Sequence, residues 1–254
     1  MVKYAPIAGV KPRYSLNSKS RHVTVGRTKT FPCSYLDDQQ EQLMVLQEDV
    51  IDVNLFEQLL ALGFRRSGSM IYKPQCPQCS ACLPIRLSID DFSLSKRQKR
   101  TMKNNQDLSW KIVEHKTEQQ YALYERYVNT RHHDGPMFPA TPEQYDSFAT
   151  ATWMQPLFIE LRLGDELIGV AITDVLPHSL SAIYSYFAPE YDKRSLGSLL
   201  ILLQTQIAKM MKKQFLYLGY QIDESRKMNY KRDYRPHQIL TQSGWVTEIK
   251  IKNQ

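Results

Sequence analysis

Residues 158–175 read Phe158-Ile-Glu-Leu-Arg-Leu163-Gly164-Asp165-Glu-Leu167-Ile-Gly-Val-Ala-Ile-Thr-Asp-Val175, and this stretch decides the fold. Two apolar runs, Phe158–Leu163 and Leu167–Val175, flank Gly164-Asp165, where a glycine can supply the positive φ of a tight turn. That is the pattern of a β-hairpin, and Ala182–Phe187 predicts a third strand beside it. Leu196, Leu199, Leu200, Leu203, Ile207, Met210 and Met211 then keep one helical stripe, which predicts an amphipathic helix. Phe215–Leu218 reads as a short buried strand after it. Antiparallel meander, helix, strand makes this an α/β (α+β) protein.

Upstream, the signals are shorter. Residues 1–30 lack hydrophobic periodicity and predict a basic, flexible tail. Leu55, Leu59 and Leu60 recur at helical spacing after Asp52, and Gly63 can close that helix. Short strands at 70–74 and 84–90 frame a cysteine loop. Residues 95–105 predict a basic helix, 110–113 a strand, 121–131 a helix and 142–153 another. The boundaries that follow are a tail over 1–30, an N-terminal region over 31–140 and a C-terminal region over 141–254.

The chain has 254 residues, is 42% hydrophobic and carries a formal charge of +7, enough for a packed core. No run approaches the 18 or so apolar residues of a membrane-spanning helix, and the first residues lack the apolar segment of a secretory signal. The excess charge is concentrated. Residues 1–36 hold Lys3, Lys11, Arg13, Lys19, Arg21, Arg27 and Lys29 without one Asp or Glu. Ser93–Gln106 holds Lys96, Arg97, Lys99, Arg100 and Lys103, also acid-free. Two such tracts point to a polyanion, most simply nucleic acid; the alternative is a tail and a solvated helix face.

Cys76-Pro-Gln-Cys79-Ser-Ala-Cys82 lies in a loop with Arg65, Arg66 and Lys73 before it and Arg86 after. Thiolates at this spacing, with or without Cys33, can converge on zinc or an iron–sulfur cluster; reduced thiols in a compact loop are the alternative. Crowded cysteines do not form a disulfide framework in a chain this long, which suits a reducing cytoplasm. The six histidines show no metal-ligand spacing, and there is neither a phosphate loop nor a nucleophile elbow.

The C-terminal order resembles an acetyltransferase (GNAT-like) half. Enzymes of that type hold the pyrophosphate of acyl-CoA on backbone N–H groups at a helix start, in a loop kept open by small residues. Here Arg194-Ser-Leu-Gly197-Ser-Leu199 ends in leucine, so the cradle is incomplete and favours a donor other than CoA. Polar groups cluster after the last buried strand, in Tyr217-Leu-Gly-Tyr220-Gln221-Ile-Asp223 and Met228-Asn-Tyr230-Lys231. They can line a cleft or form a surface turn.

Several motifs stand in one order: Cys33-Ser-Tyr-Leu, Phe64-Arg-Arg-Ser-Gly, the cysteine run with Pro-Ile-Arg86, Ser95-x-x-Gln98 and Asp134-Gly-x-Met. Thr173-Asp-Val-Leu-Pro, Ser195-Leu-Gly, Tyr217-Leu-Gly-Tyr-Gln-Ile and Met228-Asn-Tyr-Lys continue it. From about Pro32 to Trp245 the chain resembles the bacterial arginyl-tRNA–protein transferase family. The resemblance implies a cytoplasmic, GNAT-like enzyme that moves leucine from leucyl-tRNA to the N-terminal Asp or Glu of a protein, marking it for degradation. Arginyl transfer, a CoA-dependent N-acyltransferase and an RNA-binding module with a structural metal are the rivals.

An aminoacyl ester is already activated, so the chemistry needs no cofactor, only positioning, a proton acceptor and donors for the developing oxyanion. Asp174, Tyr220, Gln221, Tyr230 and Lys231 are the expected catalytic set, with Asp174 the carboxylate that orients the amine or takes its proton. Arg65, Arg66, Lys73 and Arg86 are expected to read the acceptor's carboxylate. Lys96, Arg97, Lys99, Arg100 and Lys103 are expected on tRNA phosphates.

Overall fold

The computed structural model describes residues 22–248 apart from 49, 134 and 136. Residues 1–21 of the expected tail, and Asp134 of the Asp-Gly-x-Met motif, lie outside the described residues.

Strands β1 (Val25–Arg27), β2 (Phe31–Pro32), β3 (Gln40–Glu41) and β4 (Leu43–Leu46) lead into helix α1 (Val53–Ala61). The hairpin β5 (Arg65–Ser67) and β6 (Met70–Pro74) precedes the cysteine loop, and β7 (Leu83–Ser88) follows it. Next come α2 (Lys96–Lys103), β8 (Ser109–Val113), α3 (Glu118–Arg131) and α4 (Pro142–Ala149). The meander is β9 (Leu157–Leu163), β10 (Glu166–Val175) and β11 (Ser179–Phe187), followed by α5 (Leu196–Met210) and β12 (Phe215–Gln221). A short 3-10 helix at Asn229–Asp233 and the hairpin β13 (Gln238–Thr241) and β14 (Gly244–Thr247) complete the described chain.

Capping explains where the helices begin. Asp52 accepts the Leu55 N–H at 2.8 Å and starts α1; Gly63, at φ +89°, lets the chain turn out of it. Ser95 with Gln98 and Thr117 with Gln120 form reciprocal capping boxes on α2 and α3, satisfying N–H groups that a helix start leaves open. α4 is shorter than the periodicity predicts, because Thr150 is extended and the helix ends at Ala149. Beyond it Trp153 packs edge-on against Phe56 at 5.1 Å and donates to the Ser69 carbonyl. Tertiary packing thus takes residues that the helical pattern would have claimed.

Eight strands form one sheet in the order β14-β13-β7-β12-β11-β10-β9-β8. The pair β11 and β12 is parallel, and α5 connects it. The meander–helix–parallel-strand connectivity is the order the sequence predicts, and β7 and β8 from the region before residue 141 extend the same sheet. α3 and α5 pack on β10 and β11, burying Tyr124, Val128, Leu200 and Leu202 completely. The smaller sheet runs β1-β4-β6-β5. With α1 it encloses a second core of Leu55, Phe56, Leu59, Leu60 and Ile71, which also takes in Leu176 and Tyr217 from the large sheet.

Candidate active site

The parallel strands β11 and β12 are paired only from Ser179–Ser181 to Phe215–Tyr217, although β11 runs on to Phe187 and β12 to Gln221. β12 stays bonded to β7 on its far side, with a register shift at Gly219, where φ is +89°. β11 stays bonded to β10. The facing edges of the two strands therefore part, and main-chain groups in the gap need partners from elsewhere.

Two cations supply them. Arg65, on β5 of the smaller sheet, donates through Nη2 to the Ala182 carbonyl of β11. Lys231 donates through Nζ to the Tyr220 carbonyl of β12 at 2.6 Å. A methyl group on Gly219 would lie 3.7 Å from Lys231 Nζ and 3.8 Å from Arg65 Nε, so glycine here keeps open the space beside both. Each side chain sits in a residue only 7% exposed. Among the described residues, neither has a carboxylate within ion-pair distance, and Arg65 Nη1 has no hydrogen-bond partner. Burial lowers the Arg65 pKa. Burial, reinforced by Arg65, brings Lys231 down from 10.5 to about 7.

Neutral phenols surround this pair. Tyr220 donates to the Gly63 carbonyl at 2.8 Å, and its ring lies 6.4 Å from that of Tyr72. Burial pushes the Tyr220 phenol well above its ordinary range and raises that of Tyr72. Tyr184 is raised the same way, with Tyr127, Tyr35 and Tyr230 close enough to add to the effect. Gln221 is buried and donates through Nε2 to Asp223, while its Oε1 has no partner. Among the described residues, Arg65 Nη1 is thus a donor without an acceptor and, two residues along β12 from Gly219, Gln221 Oε1 is an acceptor without a donor. Sequence reasoning missed Tyr35, Tyr72, Tyr127 and Tyr184; the available signals were the motif Cys33-Ser-Tyr35-Leu and a count of fifteen tyrosines in the chain.

The expected residues divide. Tyr220, Gln221, Tyr230 and Lys231 come together, and of the four expected acceptor-binding cations Arg65 alone joins them. Asp174 does not. It is fully buried, and both of its oxygens are taken by Arg66, at 2.8 and 2.5 Å. That bidentate pair, with further Arg66 bonds to the Gly68 and Phe148 carbonyls, leaves neither residue free for substrate. Lys73 donates to the Leu62 carbonyl at the end of α1. Arg86 lies between Phe215 and Trp245, at 3.7 and 4.1 Å from their ring centres, and bonds Gln238 and Tyr217. The sequence cannot separate adjacent Arg65 and Arg66, because their partners lie more than a hundred residues away.

The four cysteines are unpaired and half-buried. Among the described residues, no three His, Cys, Asp or Glu side chains converge as metal ligands would. Burial and mutual repulsion push the Cys82 thiol up to about 12 and raise Cys76. This arrangement does not fit zinc or an iron–sulfur cluster. The start of α5 is likewise filled by its own contacts: Arg194 holds Asp107 in a bidentate pair at 2.9 Å, and Leu199 is in the core. On α2 all five expected cations are exposed, and among the described residues only Arg97 has an acid within reach, Asp233 at 3.6 Å. No helix among the described residues is long and apolar enough to cross a membrane.

Residues 31–100 match the family model described as arginine-tRNA-protein transferase, N terminus, and residues 119–241 match its C-terminus model. An aspartate/glutamate leucyltransferase of Shewanella putrefaciens is 60% identical over 229 residues, covering 90% of this chain and 97% of that protein. Its namesakes in Pseudoalteromonas atlantica and Aeromonas hydrophila are 50% and 47% identical, each over 87% of this chain and over 95% and 93% of theirs. Among solved structures, a GCN5-related glucosamine N-acetyltransferase region of a fungal multi-domain protein superposes with a TM-score of 0.41. It shares 13% identity over 79% of this chain and 22% of that one.

Proposed function

The chain belongs to the arginine-tRNA-protein transferase family, and from that membership we propose that it transfers leucine from leucyl-tRNA to the N-terminal Asp or Glu of proteins. The names of its relatives support leucine as the donor residue and acidic termini as acceptors. The reaction is cytoplasmic and marks its products for degradation. The acceptor's α-amine attacks the ester carbonyl, an amide bond forms, the bond to the ribose oxygen breaks, and tRNA leaves with a free hydroxyl.

The observation that carries this reading is the pair of buried, unmatched groups in the splayed cleft. Among the described residues, Arg65 Nη1 lacks an acceptor and Gln221 Oε1 lacks a donor. An N-terminal Asp or Glu brings one group for each: a side-chain carboxylate and, a few bonds away, an amine. An unmatched buried donor costs about 1–3 kcal/mol, which an arriving carboxylate relieves and a neutral side chain does not. Arg65 and Lys231 hold the carboxylate, Gln221 accepts from the amine, and Tyr220 and Tyr230 line the approach of the ester. The basic face of α2 holds tRNA phosphates.

Labelled Leu-tRNA and Arg-tRNA, each offered with peptides beginning Asp, Glu, Lys or Ala, test the assignment. Label is expected only in the Asp and Glu peptides with Leu-tRNA. Transfer from Arg-tRNA instead would change the donor, and transfer to the Lys peptide would overturn the carboxylate pocket.

A further inference from the structure

We propose that Lys231 is the proton acceptor of the reaction, and that the carboxylate of the incoming residue is what makes it basic enough to serve. The inference rests on the aminoacyl-transfer reading above.

The geometry first removes the obvious carboxylate. Asp174 is enclosed and held by Nε and Nη2 of Arg66, so it has no free oxygen for a proton on the acceptor. Lys231 is the other group in the cleft that can take one. Its Nζ contacts a carbonyl oxygen, Tyr220 O at 2.6 Å, and the Met228 sulfur at 3.4 Å. Those contacts satisfy N–H bonds and leave a lone pair on the neutral amine. From the smaller sheet it faces the Arg65 guanidinium across Gly219. From the loop before β7 it faces the Cys82 thiol, which stays protonated, and from its own turn the Tyr230 ring at 5.8 Å. Two adjacent buried cations without an anion are unfavourable, and arginine cannot give up its proton. The lysine yields instead, brought down to about 7 by burial and by Arg65.

An α-ammonium has a reference pKa of about 7.7–8.0, so Lys231 beside Arg65 alone is the weaker base and does not deprotonate it. A carboxylate docked between Arg65 and Lys231 reverses that order, because an opposite charge within about 4–6 Å favours the ammonium form. The proton then passes from the acceptor's α-nitrogen to Nζ, and the freed lone pair attacks the ester carbonyl. The nitrogen's second proton goes to the departing ribose oxygen. Lys231 releases its own proton to solvent when the product, now an amide, leaves. An N-terminal residue without a carboxylate leaves the lysine weak and its own amine charged. Selection for Asp and Glu thus acts on turnover as well as on binding.

The test uses the full chain. Calorimetric binding of an Asp-initiated peptide, without tRNA, at pH 8 in two buffers of different ionisation enthalpy reads net protons. Uptake is expected in the wild type and none in Lys231→Arg, which stays charged. Absence of uptake in the wild type overturns the proposal. In single-turnover transfer, Lys231→Arg should keep its KM for the peptide within a few-fold and lose about 10²–10⁴ in rate. Small primary amines should restore part of the rate of Lys231→Ala. Normal turnover of Lys231→Arg sinks this inference while leaving the transferase reading intact; no leucyl transfer by the wild type sinks the transferase reading itself.

Discussion

Arg65 and Arg66 are neighbours of one type with different fates. Arg66 is matched by Asp174 in a fully buried, bidentate ion pair, and the pair holds the smaller sheet against β10. Arg65 ends beside it with one nitrogen unmatched. Removing one partner of a buried pair strands the other charge, at a cost of about 3–5 kcal/mol. Asp174→Ala should therefore lower the unfolding free energy by that amount in urea titrations. The double variant Arg66→Met with Asp174→Leu should recover much of it and still transfer leucine within a few-fold of the wild type. A stable Asp174→Ala protein with no single-turnover transfer would return Asp174 to the catalytic role its motif suggests.

Among the elements, α2 and β12 matter most. α2 is pinned at its start by the Ser95–Gln98 capping box, and Gln98 reaches the Asp233 carbonyl next to the turn that carries Lys231. Its free cations thus sit near the cleft. Arg100 and Lys103 in its last turn also suit the helix dipole, so charge here has a modest structural benefit beside any phosphate contact. The two roles separate by salt. Each duplex phosphate contact adds nearly one to the slope of log affinity against log salt. Arg97→Gln with Arg100→Gln should reduce that slope for tRNA by about two while leaving leucine selectivity unchanged. Gel-shift titrations over a salt series check it, and an unaltered slope makes this a solvated face. In β12 the decisive feature is Gly219. A glycine inside a strand pattern marks a bulge or a close approach; here it marks both.

At the scale of the molecule, the cleft exists because two sheets meet where one of them opens. Its price is visible in stability against pH. Lys231 titrates near 10.5 when unfolded and at about 7 in the fold. Below pH 7 it is charged in both states and the full burial penalty applies. Between pH 7 and 10.5 the unfolded chain holds the proton and the folded chain does not, so folding is relieved as pH rises. The wild type should gain on Lys231→Met by up to about 1.4 kcal/mol per pH unit across that window, and by nothing below it. Urea midpoints at pH 6, 7.5 and 9 measure the difference, and a flat difference would mean Lys231 is not desolvated.

The sequence by itself determined the elements and the family. The hairpin at Gly164, the α5 stripe, the capping boxes and the motif order are local patterns, set by side-chain period, turn chemistry and helix-end hydrogen bonding over a few residues. It also grouped Tyr220, Gln221, Tyr230 and Lys231, because they lie close along the chain after one buried strand. What only the tertiary structure decided is what each charge meets. Asp174 is claimed by Arg66 across 108 positions, Arg86 by two aromatic rings and Lys73 by a helix end. Arg65 and Lys231 are left facing each other across a glycine. Burial and pairing are properties of atoms brought together from distant segments, and a charged residue's chemistry depends on them more than on its type.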